Sequence, residues 1–366
     1  MPPIKVAFIP AGVSGVVFYR VWQPYGALSE AKGIQPICWW YTTDQYTLHP
    51  WENEVMDPQK GPSIQYDIDA ACAWADVVVW MSLHSQAALD LFREMKRKHN
   101  KIFLTEIDDY VLSIPAKNQA SEYFRPGSDM VAYAVDQFSE SDGLVVSTPY
   151  LGDLYKKFNK NINVVENCID TGLWHVSEEN SSDAVKIGWM GGGTHEEDLE
   201  IVKDVVFEIL EEHPNVSFHF LHGVPRFFRD VPRIKADLGF KPVDKYPKWV
   251  MKAGFDIGIA PLEDNNFNRG KSNLRWLEYS AMGIPTVASP LPHFVQSIED
   301  GKTGFIANTK DEWKKNLKNL IADKELRRAI GMNARKEVET NWSIRTLRNR
   351  YKTVLEDVTN AKLHAV

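Results

Sequence analysis

The stretch Asp256–Ser289 constrains the fold more than any other part of the chain. Its pattern predicts a short apolar strand, Ile257–Pro261, then an asparagine-rich loop, a helix from about Lys271 and a second strand, Thr286–Ala288. A strand, a helix and a strand in this order form the right-handed crossover unit of a parallel sheet. Ligands of such sheets collect where strand C-termini meet helix N-termini. We therefore expect Lys271 and Ser272 to lie at a binding site.

A carboxylate follows this predicted junction on the same helix. Glu278 lies seven residues after Lys271, and seven residues are two turns, so both side chains should share a face roughly 10 Å apart. A cation suits a phosphate and a carboxylate suits a sugar hydroxyl. The spacing therefore indicates a nucleotide site.

The alternation of strands and helices occurs twice in the chain. A buried strand, Lys5–Ile9, leads into the glycine turn Gly12–Gly15, and the pattern restarts at Val185–Trp189 with a second glycine turn, Gly191–Thr194. Such turns let the backbone approach a ligand closely. We predict an α/β protein of two Rossmann-like, doubly wound domains facing each other across a cleft. The predicted parts are an N-terminal domain 1–170, a hinge 171–184, a C-terminal domain 185–340 and a last helix, 341–366, packing on the first domain.

Several local features follow from the same pattern. Pro24 should interrupt a helix over Ser14–Trp22, and Val164–Asn167 should be the last strand of the first domain. Thr42–Ile64 has no periodicity and is expected to be a long loop. Thr194 and Glu197 have capping-box spacing, which predicts a helix over Glu196–Glu211.

Composition excludes several classes of protein. The chain has 366 residues, 25% charged residues, a net charge of −7 and three cysteines. This acidic balance gives no general attraction to nucleic acid, although a local basic groove is compatible with it. Three widely spaced cysteines favour neither a disulfide framework nor a zinc site. With no apolar run of membrane-spanning length and no signal-peptide pattern, the expected location is the cytoplasm.

These features together resemble the GT-B glycosyltransferases, in particular the broad retaining group 1. The resemblance covers nearly the whole chain, and its most specific part is FNRGKSNLRWLEYSAMGIPTVAS, followed by the DGKTGF of residues 300–305. The NCID of residues 167–170 is similar to a motif that ends the first domain of relatives. In the family the helix carboxylate holds the nucleotide ribose, and this role matches Glu278. The resemblance implies transfer of a sugar from a nucleoside diphosphate sugar, such as a UDP-sugar, to an acceptor hydroxyl.

The resemblance also exposes a departure. Relatives carry another glutamate eight positions before Glu278, where this chain has Gly270, and a KSN sequence replaces the usual loop. A lysine and backbone N–H groups can still attract the diphosphate. The residues expected to contact the donor are Gly15, Arg20, Gly192, Gly193, Thr194, His195, Arg269, Lys271, Ser272, Asn273 and Glu278.

Two carboxylates at a strand end are the candidate catalytic residues. Asp108 and Asp109 follow the strand Ile102–Thr105, at a place where relatives often carry a histidine–aspartate pair near the reacting sugar carbon. If the enzyme inverts the anomeric carbon, Asp108 is the natural general base. If it retains the configuration, which is the outcome typical of the resembling group, the leaving phosphate can assist and no base is required. A helix cap or a salt bridge would be an equally ordinary role.

The remaining expectations concern cofactors, partners and rival functions. No metal and no cofactor are expected, because GT-B enzymes typically work without a structural metal and the sequence shows no metal-ligand cluster. The acceptor class is open between a glycan, a lipid-linked glycan and a hydroxylated DNA base. The rivals are a non-catalytic GT-B module that binds nucleotide or sugar, a sugar-nucleotide epimerase and a phosphorylase, for which no pyridoxal phosphate sequence is found.

Overall fold

A computed structural model describes residues 2–12, 14–39, 68–82, 84–176, 182–192, 195–239, 241–242 and 245–364. The predicted loop Thr42–Ile64 lies outside these residues. The chain divides into two compact units. Unit 1 comprises Met1–Ile114, Glu122–Cys168 and Ile344–Val366, and unit 2 comprises Pro115–Ser121 and Ile169–Ser343.

Unit 1 is built on a parallel sheet that has six strands in the described part of the chain, in the order β2-β1-β3-β4-β5-β6. The central strands are continuous apolar runs, as expected when both faces are covered by helices. The predicted last strand, Val164–Asn167, is wrong, since β6 occupies Ile162–Val164 and Val165 is buried after its end. The strands are β1 Ile4–Ile9, β2 Ile34–Cys38, β3 Val77–Met81, β4 Ile102–Ile107, β5 Gly143–Val146 and β6 Ile162–Val164.

The first helical segment of unit 1 contains a widened turn. It runs through α1 (Gly15–Val17), a π-helical turn (Phe18–Trp22) and α2 (Gln23–Ser29) without a break. The prediction that Pro24 interrupts the helix is therefore wrong. It is the second residue of α2, directly after a π-helical turn whose bonds span five residues, so the usual clash with the preceding turn is relieved. The other helices of unit 1 are α3 Ile68–Trp74, α4 Gln86–His99, α5 Asp129–Glu140 and α6 Pro149–Tyr155.

The C-terminal helix belongs to unit 1. This helix, α15 (Ile344–His364), buries Leu347, Tyr351 and Leu355. The Tyr351 ring meets Phe8 of β1 edge to face, with ring centroids 5.7 Å apart. The structure thus places the last helix on the first sheet, as its apolar spacing had suggested.

Unit 2 repeats the architecture with a second parallel sheet of six described strands, in the order β12-β11-β10-β7-β8-β9. This order is the doubly wound Rossmann arrangement. Together the two sheets confirm the predicted fold class. The strands are β7 Val185–Gly191, β8 Val216–His222, β9 Ile234–Asp237, β10 Ile257–Ala260, β11 Thr286–Ala288 and β12 Phe305–Ile306.

The helices of unit 2 differ from the prediction in two places. The single helix expected over Glu196–Glu211 is two helices, α7 and α8. The helix expected from about Lys271 begins only at Leu274, as α11 (Leu274–Ala281), and the short helix α10 (Asn266–Gly270) lies within the predicted asparagine-rich loop. The helices are α7 Glu196–Glu200, α8 Lys203–Glu212, α9 Tyr246–Ala253, α10 Asn266–Gly270, α11 Leu274–Ala281, α12 Pro292–Ser297, α13 Lys310–Ala322 and α14 Lys324–Asn341.

Two glycines let aromatic rings lie flat on the centre of the second sheet. A Cβ at Gly188 would lie 2.2 Å from the Phe255 ring, and one at Gly258 would lie 2.6 Å from the Tyr279 ring. The Tyr279 hydroxyl donates a hydrogen bond of 2.9 Å to the Gly188 carbonyl. This contact fixes α11 against β7 and β10, and so positions the residues that begin α11.

Candidate functional site

The candidate site lies at the C-terminal edge of the sheet of unit 2. Strands β7 and β10 are neighbours, and the chain leaves them toward opposite ends of the sheet, which makes their junction the topological switch point. Ligands of open α/β sheets bind at such a point. Gly192 and His195 follow β7, and Lys271 and Ser272 follow β10. The two groups of predicted donor residues therefore come from the two strands that define the switch point.

His195 is held by a carboxylate on the next turn. Its Nδ1 lies 2.7 Å from Oδ2 of Asp198, and its ring meets Trp189 edge to face at a centroid distance of 5.9 Å. Burial lowers the pKa of His195, Asp198 raises it, and the positive charge of Lys271 lowers it. The imidazole is therefore neutral at pH 7, and its Nδ1–H donates to Asp198.

Asp198 also connects the two sides of the switch point. Its side chain is buried, and Oδ1 accepts hydrogen bonds of 2.8 Å from the Glu263 backbone N–H and of 2.8 Å from Nδ2 of Asn268. Glu263 and Asn268 belong to the segment after β10. One buried carboxylate thus joins His195 to the segment after β10 through charge-assisted hydrogen bonds.

A pocket of about 320 Å³ opens beside His195. Trp189 forms part of its wall because the indole folds over Gly191, where a Cβ would lie 2.5 Å from the ring. The size of this pocket suits part of a small ligand. The lining residues are Trp189, Gly192, His195, Glu196, Leu199, His222, Gly223, Val224, Pro225, Arg226, Arg229 and Leu238.

An aromatic group supports the far side of this pocket. His222 ends β8 with φ 74°, a left-handed conformation that is uncommon for a residue with a side chain. Its ring stacks on Tyr246 at a centroid distance of 5.6 Å and meets Trp249 edge to face at 4.7 Å. Burial raises the pKa of the Tyr246 phenol, and the nearby charge of Glu278 raises it further. Glu278, the residue predicted to bind the ribose, is only 4% exposed and lies close to Tyr246.

The KSN segment forms the connection between α10 and α11. Lys271 is half-buried and extended, with Nζ 4.2 Å from the Phe267 ring centroid. The N-cap of α11 is Asn273, whose Nδ2 donates a 2.7 Å hydrogen bond to Ser297. The predicted two-turn helical spacing from Lys271 to Glu278 is therefore wrong, because the helix begins only at Leu274. Lys271 and Ser272 nevertheless lie at the sheet edge where a ligand was expected.

The remaining predicted residues of unit 2 have various settings. Arg269 donates to both carboxylate oxygens of Asp264, including a 2.8 Å bond from Nη2. Gly193 and Thr194 lie outside the described residues. Gly270, where relatives carry a glutamate, is buried at the end of α10.

The candidate catalytic carboxylates lie in unit 1, directly after β4. Asp108 and Asp109 are both half-buried. Side-chain hydroxyl groups hold their backbone carbonyls. The Tyr155 hydroxyl donates a 2.7 Å hydrogen bond to the Asp109 carbonyl and accepts one of 3.1 Å from the Val111 N–H. Ser147 donates to the Asp108 carbonyl at 3.2 Å. The loop is therefore held in place through its backbone carbonyls.

Arg20 does not have the surroundings of a donor ligand. It is 1% exposed, and its Nε donates a 2.7 Å hydrogen bond to Glu106, which is fully buried. Its Nη1 donates to the Val165 carbonyl at 2.7 Å and to Asn167 at 2.8 Å. The structure thus corrects the predicted donor contact, since Arg20 is part of a core ion pair. Gly15 begins α1 and is exposed, directly after the N-cap serine.

Sequence reasoning missed several residues of the site. No sequence motif marks Trp189, His222 and Tyr246, because their proximity depends on how strands and helices pack. Asp198 carried a readable signal, since it lies three residues after His195 on a predicted helix. Arg275 lies within the motif FNRGKSNLRWLEYSAMGIPTVAS, but no sequence pattern indicated a role for it.

The chain has similarities to known proteins in sequence and in fold. Residues 211–356, less than half of the chain, match the family described as "Glycosyl transferase-like". No curated protein matches the chain. Among the described residues, no helix is long and apolar enough to cross a membrane.

Several solved structures share the fold across the whole chain. HepE of Anabaena, in complex with UDP-glucose, is 13% identical with a TM-score of 0.63, over 97% of this chain and 100% of that one. Sucrose-phosphate synthase from Thermosynechococcus elongatus is 12% identical with a TM-score of 0.66, over 98% and 100%. A glycosyltransferase from Rickettsia africae is 15% identical with a TM-score of 0.65, over 97% and 98%.

Residues 211–356 are similar in sequence to glycosyl transferases, and the structural matches show the fold of the chain. Together they confirm the predicted GT-B fold and the predicted similarity to group 1 glycosyltransferases.

Proposed function

We propose that this chain transfers a sugar from a nucleoside diphosphate sugar to an acceptor hydroxyl. The observation that carries the proposal is the switch point of unit 2, where Lys271, His195 and a pocket of about 320 Å³ lie at the edge of the sheet. Support comes from the shared fold of HepE, which has been solved with UDP-glucose and with UDP. UDP-sugars are therefore the first donors to test.

The proposed roles follow from charge and position. Lys271 and Ser272 contact the diphosphate, with backbone N–H groups of the Gly192–Thr194 turn, and Glu278 holds the ribose. Preorganised donors and cations stabilise a leaving diphosphate without reorganisation during the reaction. The positive side chains supply this stabilisation in the proposal, so no metal is required. Activity in excess EDTA tests that point, and loss of transfer that Mg²⁺ restores would contradict it.

Acceptor chemistry is assigned to unit 1. Asp108 and Asp109 are proposed to bind the acceptor hydroxyl, and retention of the anomeric configuration is the proposed outcome. The configuration of the product, read by NMR, decides between retention and inversion. Replacing Asp108 by asparagine should lower the transfer rate about 10²–10⁴-fold if it is a base, and much less in a retaining reaction that relies on the leaving phosphate.

The proposal is tested by screening donors and acceptors with the purified protein. Nucleotide sugars are first ranked by thermal shift, then the best donor is offered to glycans, lipid-linked glycans and hydroxylated DNA. Transfer with at least one pair supports the proposal. Nucleotide binding with neither sugar transfer nor donor hydrolysis would favour a non-catalytic GT-B module that binds nucleotide or sugar. Lys271→Ala should weaken donor binding, and unchanged affinity would refute its phosphate role. The cytoplasmic location remains a prediction from the sequence.

A further inference from the structure

Arg275 is a second cation at the switch point, in addition to Lys271. Arg275 is the second residue of α11 and is half-buried. Its guanidinium carbon lies 5.4 Å from the centroid of Trp189, the tryptophan that lines the pocket. A guanidinium over an indole is held by a cation–π contact, which orients its plane. Arg275 is therefore oriented by a β7 side chain that lines the pocket.

The donors of Arg275 are not all used by the protein. Its Nη1 is buried and has no hydrogen-bond acceptor among the described residues. A buried donor without a partner costs about 1–3 kcal/mol, and more when it is charged. Two other arginines of unit 2, Arg233 and Arg335, use donors within the fold. Arg233 donates to the His213 and Val216 carbonyls, and Arg335 donates to the Trp174 carbonyl.

The positive charge of Arg275 reaches both strands of the pocket. After burial, it contributes to lowering the pKa of His195 and that of His222. Lys271 also contributes at His195. Two cations, Lys271 in the α10–α11 connection and Arg275 in the first turn of α11, thus act on His195, the N-cap residue of α7.

This convergence matters because α7 itself repels anions. The first turn of α7 carries three carboxylates, Glu196, Glu197 and Asp198, which oppose the favourable effect of a helix N-terminus on a phosphate. An anion beside His195, the N-cap residue of α7, therefore needs external positive charge. Lys271 and Arg275 provide it from the β10 side of the switch point.

We propose that Arg275 binds the diphosphate of the donor together with Lys271, its planar fork contacting phosphate oxygens while Trp189 holds the guanidinium. This inference rests on the proposed function for the identity of the donor. The guanidinium fork suits bidentate phosphate recognition, whereas lysine acts as a point charge. Arg275 is thus a binding residue that deepens the assignment of the site, and the phosphate supplies the acceptor that Nη1 lacks.

The test compares UDP with uridine on matched variants of the full chain. Arg275→Met keeps the aliphatic stem, Arg275→Lys keeps the charge, and Arg328→Met removes one charge from the exposed surface of α14 as a control. Isothermal titration should show UDP affinity about 10–100-fold weaker in Arg275→Met, the range expected for a lost charged hydrogen bond. Arg275→Lys should lie between, and uridine affinity should stay within about twofold of the wild type. UDP affinity in Arg275→Met within about twofold of the wild type would overturn the proposal.

A second probe separates this inference from the proposed function. Inorganic pyrophosphate should raise the melting temperature of the wild type and of Arg328→Met, but much less that of Arg275→Met. This result without sugar transfer would support the anion site while the proposed function fails. Sugar transfer combined with equal pyrophosphate effects on wild type and Arg275→Met would overturn the anion site and leave the function standing. If Arg275→Met does not fold, a UDP affinity of Arg275→Lys equal to that of the wild type would overturn the role of the fork.

Discussion

The buried ion pair of unit 1 provides a quantitative test of the role of Arg20. Arg20 is 1% exposed and Glu106 is fully buried, and they share a 2.7 Å hydrogen bond. Tyr351 of α15 donates to the other carboxylate oxygen at 3.2 Å. Replacing Glu106 by alanine would leave the guanidinium with only neutral acceptors. Removing one partner of a buried pair costs about 3–5 kcal/mol, so we expect Glu106→Ala to destabilise unit 1 by that amount.

A double variant separates the charge from the packing. Arg20→Met alone should also be costly, because it leaves the carboxylate unpaired. Arg20→Met with Glu106→Leu removes both charges and keeps most of the volume, and such replacements are often neutral or stabilising. We expect the double variant to recover at least half of the loss seen in either single variant. The remaining deficit would reflect acceptors left unsatisfied at Asn167 and Val165.

The assay is urea unfolding of the full chain, followed by tryptophan fluorescence and circular dichroism, with the UDP affinity measured beside it. At about 2–4 °C per kcal/mol for a domain of this size, a loss of about 3–5 kcal/mol corresponds to a fall in melting temperature of roughly 6–20 °C. Because the pair lies inside the core, UDP affinity of folded Arg20→Met should match that of the wild type. Unfolding free energies within about 1 kcal/mol of the wild type would refute the reasoning. A tenfold loss of UDP affinity at unchanged stability would restore the original prediction that Arg20 binds the donor.

Further predictions concern unit 2. Burial lowers the pKa of His293 to about 3; since the unfolded chain takes up the proton below about pH 6.5, stability should fall as the pH falls, by about 2 kcal/mol at pH 5. Urea unfolding at pH 7 and pH 5 should show a smaller difference in His293→Leu, and an unchanged difference would contradict this cause. Asp198→Asn replaces an acceptor of three hydrogen bonds by an amide that must donate to His195. The kcat/KM of this variant, measured from initial transfer rates, should be about tenfold lower than that of the wild type. A wild-type value would argue against a positioning role of Asp198. A Cβ at Gly331 would lie 1.8 Å from a backbone carbonyl oxygen, whereas one at Gly26 meets nothing within 4 Å; Gly331→Ala should therefore cost about 1–3 kcal/mol and Gly26→Ala should not, and equal melting temperatures would refute this.

The sequence pattern predicted the sheets well where strands are central and poorly at their edges. Strands such as β3 and β10 are buried on both faces, so an uninterrupted apolar run marks them. Strand β9 (Ile234–Asp237) was missed because three of its four residues are exposed at the sheet edge. Strand β6 was placed too late in the chain, because the buried Val165 lies beyond its end and extended the apolar run.

The candidate site was predictable in its position and less so in its members. Strand ends and the LEYSAMG motif located the Lys271–Glu278 region, because crossover geometry fixes which edge of a sheet carries the ligand. The later start of the helix, at Leu274, was not foreseen, since the interval from Lys271 to Asn273 contains no proline or glycine. Arg275 and Trp189 are 86 residues apart in the numbering, so only the folded structure shows that they meet.

The buried Asp198 explains how two loops can act as one site. Its carboxylate joins His195, after β7, to Asn268 and the Glu263 backbone, after β10. Loops are usually the mobile parts of a domain, yet recognition of a diphosphate requires fixed donors and cations. A buried acceptor with three hydrogen bonds supplies that rigidity at the switch point. The resemblance described above implies a carboxylate in relatives at the position of Gly270, and we therefore expect donor affinity to come mainly from the nucleotide diphosphate. Variants at Lys271 and Arg275 should then change affinity for UDP and for UDP-sugars by similar factors.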